Sequence, residues 1–115
     1  MKYLGGYDMK NMDYAPTFIA YFLDNQIVGV NSGHKCLDNG YRSRGLYVFP
    51  EYRGRGIGVV LLKETIKLGK TIGCNYVWSY PKDSSWKTYN KAGFNLSTDW
   101  EKSENGLNAY CICKF

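Results

Sequence analysis

Three glycines within five positions, Gly54, Gly56 and Gly58, separate a strand-like run from an amphipathic helical run. Residues 42–49 read as a strand, and Pro50 closes it because proline cannot donate to a ladder. Beyond the glycines, Leu61, Leu62, Thr65, Ile66, Leu68 and Ile72 recur at helical spacing and form one apolar face. Gly69 weakens the last turn of that helix and Gly73 is its expected stop. Residues 75–80 are strand-like again, closed by Pro81. Strand, crossover helix and strand in one sheet require a right-handed connection and a parallel pair. This unit constrains the whole chain.

The flanks are antiparallel by pattern. Residues 17–23 and 26–32 read as a hairpin around the turn signal Asp24-Asn25. Residues 33–40 read as a polar connection, strand-like at most up to Cys36 and Leu37. Asp83 is placed to cap a short helix over 84–92, ended by Gly93. Residues 94–100 and 108–115 read as two last strands, joined by the polar turn 103–106. Gly5-Gly6, Asp8, Asn11 and Pro16 break any long helix near the start. The fold class expected is α/β with a mixed, mostly antiparallel sheet around a central parallel pair. At 115 residues the expectation is a single domain, 1–115.

Hydrophobic residues at 44% and charged residues at 22% describe a globular chain and not a disordered one. The formal charge of +5 favours anionic partners. No basic stripe or known motif supports nucleic-acid binding, which would rest on charge and on the 11 Tyr and 3 Trp alone. Cys36, Cys74, Cys111 and Cys113 fit no common zinc spacing and read as ordinary buried thiols, so no metal is expected. Cys111 and Cys113 should share one strand face. No export signal and no membrane-length apolar run is found, so the expected location is the cytosol.

The loop Arg53-Gly54-Arg55-Gly56-Ile57-Gly58 carries the chemistry. Glycines let the backbone turn tightly and approach a ligand. The helix behind them points its free N–H groups and positive dipole end at the loop. That arrangement binds phosphate, and Arg53 and Arg55 add charge-assisted donors. A P-loop would need G-x-x-x-x-G-K-[ST], which is absent. The dinucleotide fingerprint is G-x-G-x-x-G, which this loop does not match, and no acidic residue stands about 20 residues on for the ribose.

The loop resembles the [QR]-x-x-G-x-[GA] motif of the GNAT N-acetyltransferase superfamily, with Arg53, Gly56 and Gly58 on the defined positions. A second segment of that family, an aromatic before K-x-G-F, is matched by Tyr89-Asn90-Lys91-Ala92-Gly93-Phe94. The resemblance runs from about Phe18 to Phe115. It implies the GNAT fold, with the parallel pair splayed at the cofactor site. It implies acetyl-coenzyme A as cosubstrate, its pyrophosphate held by the backbone of Gly54, Arg55, Gly56, Ile57 and Gly58, with Arg53 bracing the turn. Leu46, Tyr47 and Val48 would bond the pantetheine arm through their main chain, and Tyr89 would sit near the thioester sulfur. The implied activity is transfer of an acetyl group to a primary amine, on a small molecule or on a protein lysine or N-terminus.

In such a transfer Tyr89 is the candidate general acid for the leaving thiolate. A main-chain N–H near Val48 is the candidate oxyanion donor. A base is harder to place. Counting back from Val48 on one strand face gives Leu46, Arg44 and Arg42, none of them a base. Glu51, Asp83, His34 and Asp99 remain as candidates, with His34 expected on the surface of a polar loop. Arg42 and Arg44, if they line the acceptor groove, favour an acceptor bearing a carboxylate or phosphate. Typical relatives carry a strand and one or two helices before the hairpin, whereas about 16 residues stand there in this sequence. Reduced or absent N-terminal helices would leave the acceptor side open, which suits a large acceptor or a homodimer supplying the missing wall. The alternative reading is a non-catalytic acyl-CoA-binding or sensor module.

Overall fold

The computed structural model describes residues 16–104 and 106–115. Expectations for the earlier segment, including its reduced helices, and for Asn105 in the turn lie outside the described residues. The elements follow the expected order: β1 (Thr17–Leu23), β2 (Gln26–Lys35), β3 (Gly40–Val48), α1 (Ile57–Thr71), β4 (Tyr76–Ser79), α2 (Trp86–Ala92), β5 (Asn95–Leu96), β6 (Glu101–Ser103), β7 (Gly106–Asn108) and β8 (Cys111–Lys114). The main sheet has the strand order β1-β2-β3-β4-β8-β5, and β6-β7 is a separate two-stranded ribbon. Every pair is antiparallel except β3 with β4. The fold is therefore α/β with a mixed, mostly antiparallel sheet.

Several boundaries differ from the sequence expectation. β2 and β3 keep pairing out to Lys35↔Tyr41. The connection shrinks to a tight turn in which Cys36 N–H donates to Gly40 O at 2.8 Å. His34 is therefore a strand residue, 1% exposed and opposite Arg42, not a surface loop residue. Asp83 makes no side-chain cap. It opens a 3-10 turn whose N–H groups are satisfied by main chain instead, Ser85 donating to Lys82 O at 3.0 Å. The expected strand 94–100 reduces to Asn95–Leu96. Past it the chain leaves the sheet edge, and 101–103 folds onto 106–108. Asn108, 9% exposed, directs its amide to Tyr80 O at 3.0 Å, which ties this ribbon to the end of β4 and separates it from β8.

Both helices pack on one face of the sheet. Leu62, Val77, Phe94 and Cys111 form the centre of one apolar cluster, and Val28, Ile57 and Leu61 form a second beneath the start of α1. Gly69 is where α1 crosses the sheet most closely. A Cβ there would lie 2.9 Å from Val77 Cγ2 and 3.0 Å from Tyr41 Cβ. The glycine that weakens the helix by sequence is thus demanded by its packing.

Gly69→Ala is expected to destabilise the protein. Alanine gains about 1 kcal/mol of helix propensity, but overpacking against two buried side chains costs about 1–3 kcal/mol. A lower Tm than the parent protein in a thermal melt is the expected outcome, and a higher one would contradict the close crossing.

Candidate functional site

The parallel pair holds for only three positions, Gly40↔Tyr76, Tyr41↔Val77 and Arg42↔Trp78. Ser79 Oγ then donates to Ser43 O at 2.7 Å, the last link between the two strands. β3 continues to Val48 while β4 ends at Ser79. The main chain of Leu46, Tyr47 and Val48 consequently runs along a gap with no strand on its β4 side.

Gly45 helps to open that gap. Val30 pairs with Tyr47 and Ser32 with Arg44, so two residues of β3, Gly45 and Leu46, oppose Asn31 alone. Gly45 has φ +82°, the left-handed bulge position that favours glycine. Ser32 Oγ donates to Arg44 O at 2.6 Å and fixes the distortion. The extra residue breaks the period-2 count along the strand. Leu46 and Val48 pack on the helix side. Their continuation on that face is Ser43, hydrogen-bonded to Asn31, and Tyr41, in the core. Arg42 and Arg44 therefore lie on the opposite face and not in line with Val48. Both are buried, and the Arg42 guanidinium lies over the Trp78 ring at 4.6 Å.

The glycine loop closes one end of the gap. Gly54 and Gly56 have φ of +80° and +81°, with nothing within 4 Å of a Cβ at either. Their requirement is conformational, since an L side chain in this region is strained. Gly58 is different: a Cβ there would meet Thr88 Cγ2 at 3.0 Å, so it serves close packing of α1 on α2. Helix α1 begins earlier than expected, at Ile57, with Gly56 as its cap and no side chain filling the capping position. Val60 N–H donates to Gly56 O at 3.1 Å. The N–H groups of Ile57, Gly58 and Val59 precede that first helical bond and point out of the helix end. Arg53 Nε donates to Val48 O at 2.7 Å, so its guanidinium braces the loop against β3. The Arg53 and Arg55 guanidinium groups sit over the Tyr47 and Tyr52 rings, at 5.3 and 5.2 Å.

The loop apart from Arg55, the strand end and Tyr89 line one open groove of about 1750 Å³. Tyr89 comes from α2, is 5% exposed and meets Phe94 edge-on at 5.5 Å. Burial pushes its phenol up to about 12, against smaller lowering effects from the Ser79 hydroxyl and Arg42, and a raising effect from Cys111. It holds its proton at neutral pH. The groove also carries groups that sequence reasoning missed. Lys82, Lys87 and Lys91 add positive charge, and Tyr80, Tyr110, Glu101 and Glu104 form its other side. Tyr80 OH donates to Glu101 Oε1 at 2.6 Å. Glu101 lay within no motif, and only the folding of the β6-β7 ribbon onto β4 reveals it. Glu51, Asp83, Asp99 and His34 do not line the groove. No group of three or more potential metal ligands occurs among the described residues. None of their helices is long and apolar enough to cross a membrane.

Burial also raises the thiols of Cys36 and Cys111, to about 11 and about 12 from their ordinary 9.0. With Tyr89 they ionise in the unfolded chain at lower pH than in the folded one. Stability is thus fully present below pH 9 and falls as pH climbs from about 9 to about 12. Urea unfolding at pH 7.5 and 10.5 should give the lower midpoint at 10.5, and Cys111→Ala should narrow the difference.

The Acetyltransferase (GNAT) family model matches residues 3–94. An acetyltransferase from Bacillus cereus superposes with a TM-score of 0.78 at 18% identity, covering 95% of this chain and 79% of the other. A Bacillus subtilis acetyltransferase in complex with CoA gives 0.72 at 17%, covering 85% and 76%. The PaiA N-acetyltransferase from Thermoplasma acidophilum, in complex with coenzyme A, gives 0.70 at 24%, covering 87% and 61%. The chain spans less than two thirds of that last protein, and 64% of a similar solved chain from Lactobacillus plantarum. No curated protein sequence matches it.

Proposed function

This chain belongs to the acetyltransferase (GNAT) family of acyltransferases, and we propose that it moves an acetyl group from acetyl-CoA to a primary amine by direct attack. The observation that carries the reading is the gap between β3 and β4, which opens at one end onto the free N–H groups of α1. A pantetheine arm is an extended chain with amide groups, and it can pair with the edge of Leu46, Tyr47 and Val48 that faces away from β2, as a missing strand would. The pyrophosphate then meets the backbone of residues 54–58 and the helix dipole, with Arg53 holding the loop to Val48 O. That two similar solved structures are in complex with coenzyme A supports coenzyme A as the cosubstrate type.

In the reaction the amine attacks the thioester carbonyl. A main-chain N–H near Val48, in the gap, stabilises the oxyanion. The C–S bond breaks and Tyr89 protonates the thiolate. Its phenol, pushed up to about 12 by burial, is protonated at neutral pH.

Tyr89→Phe is expected to lower turnover at least about tenfold while the acetyl-CoA dissociation constant stays within about twofold. Thiol release from acetyl-CoA with a panel of primary amines reads the first, and calorimetry reads the second. Unchanged turnover would remove Tyr89 from the mechanism. Tight acetyl-CoA binding with no transfer to any amine would favour a binding or sensor module.

A further inference from the structure

The groove carries charges of both signs. Arg42, Arg44, Arg53, Lys82, Lys87 and Lys91 line it, and so do two carboxylates, Glu101 and Glu104; Arg42 lies over Trp78, on the Tyr110 side. Glu101 is exposed but is not left to wander. It accepts from Tyr80 OH at 2.6 Å. The Tyr80 ring stacks on Tyr110 at 4.4 Å, and Tyr110 meets Trp78 at 5.9 Å. The ribbon that carries Glu101 is tied to β4 by Asn108, whose amide donates to Tyr80 O and whose Oδ1 accepts from Ser103.

Strand alternation gives this arrangement a direction. Ser79 and Tyr80 are consecutive and face opposite sides of the sheet. Ser79 is on the helix face with Tyr89, where the thioester sulfur belongs in the reading above. Tyr80 is on the other face with Tyr110 and Trp78. An acetyl carbonyl lodged in the gap between β3 and β4 is thus reachable from the Tyr80 side.

Resting on the acetyl-transfer reading, we infer that Tyr80, Tyr110 and Glu101 receive a primary alkylammonium acceptor, and that Glu101 takes the proton this ammonium must lose before it attacks. The two ring faces and one carboxylate match a cation. One hydrogen bond to Tyr80 leaves most of the acceptor capacity of the carboxylate for the substrate.

The steps balance. R–NH3+ gives one proton to Glu101 and becomes R–NH2. Its lone pair forms the N–C bond to the thioester carbonyl. The C–S bond breaks, and Tyr89 gives its proton to sulfur. The nitrogen then loses its second proton, which restores the Tyr89 phenol. Glu101 releases the first to solvent. The sum is acetyl-CoA plus ammonium giving amide, free thiol and one proton.

The test compares Glu101→Gln with the parent protein on two acceptors at pH 7.5. Butylamine is almost wholly protonated there, whereas 2,2,2-trifluoroethylamine is mostly neutral and needs no base before attack. Glutamine keeps an acceptor for Tyr80. The expected result is a loss of about 100-fold in kcat/KM with butylamine, and of less than about threefold with the fluorinated amine. The acidic limb of the butylamine pH profile should also shift to higher pH, with acetyl-CoA affinity unchanged by calorimetry. Equal losses on both amines, or none on either, would overturn the assignment. If the parent protein binds acetyl-CoA yet acetylates neither amine, the acceptor assignment is overturned with the transfer reading. If it does not bind acetyl-CoA, the cofactor reading fails first.

Discussion

β3 has to pair with β4 and then part from it, and the structure is arranged around that divergence. Two hydroxyl-to-carbonyl bonds manage it. Ser79 Oγ to Ser43 O holds the strands together at the last shared position. Ser32 Oγ to Arg44 O secures the bulge that starts one residue later. Each replaces part of a ladder that the divergence removes, which buried polar backbone requires. The bulge adds local twist, so β3 turns out of register with β4 while still pairing with β2 up to Val48.

The helix side absorbs the consequences. Because the bulge inserts one residue, Tyr41 and Ser43 before it and Leu46 and Val48 after it all face α1. One helix can therefore seal both halves of a bent strand. A buried amide marks the seam: Asn31 Nδ2 donates to Ser43 Oγ and to Thr65 Oγ1. Thr65 in turn donates to Leu61 O, so its oxygen is free to accept from Asn31. Polar groups at the bend are joined to the helix directly, and apolar clusters lie on either side of them. The close crossing at Gly69 sets the depth of α1 over the sheet, and its other end delivers the N–H groups of residues 57–59 to the gap.

Much of this was legible in the sequence. The element order, the parallel pair and the glycine loop ahead of the crossover helix follow from glycine placement, proline stops and a helical apolar face, all of them local signals. What was not legible depended on one-residue events or on distant contacts. Counting by twos from Val48 puts Arg44 and Arg42 on its face, and the bulge at Gly45 reverses that. A lone glycine inside a strand signals a bulge only weakly. His34 looked exposed because its neighbours are polar and glycine-rich, yet main-chain pairing carries it into the sheet. Glu101 stands in a polar stretch between two expected strands. Its relation to Tyr80 depends on where the ribbon lands, and Asn108, itself unremarked in the pattern, decides that.

The same divergence explains why the sheet can act as a partition. A fully paired sheet would separate its faces by a continuous ladder. Here the ladder ends at Ser43 and Ser79, and the strands leave an opening between a helix-covered face and a face lined by Tyr80, Tyr110 and Trp78. Tyr89 reaches the opening from the first face, with a phenol whose desolvation favours the neutral, proton-donating form. Glu101 stands on the second, exposed to water that can carry protons away. In the proposed transfer one group must give a proton and another must take one, and they would oppose each other if they met. Placing them on opposite faces keeps the group that gives a proton apart from the group that takes one, so neither proton is passed between them instead of through the substrate.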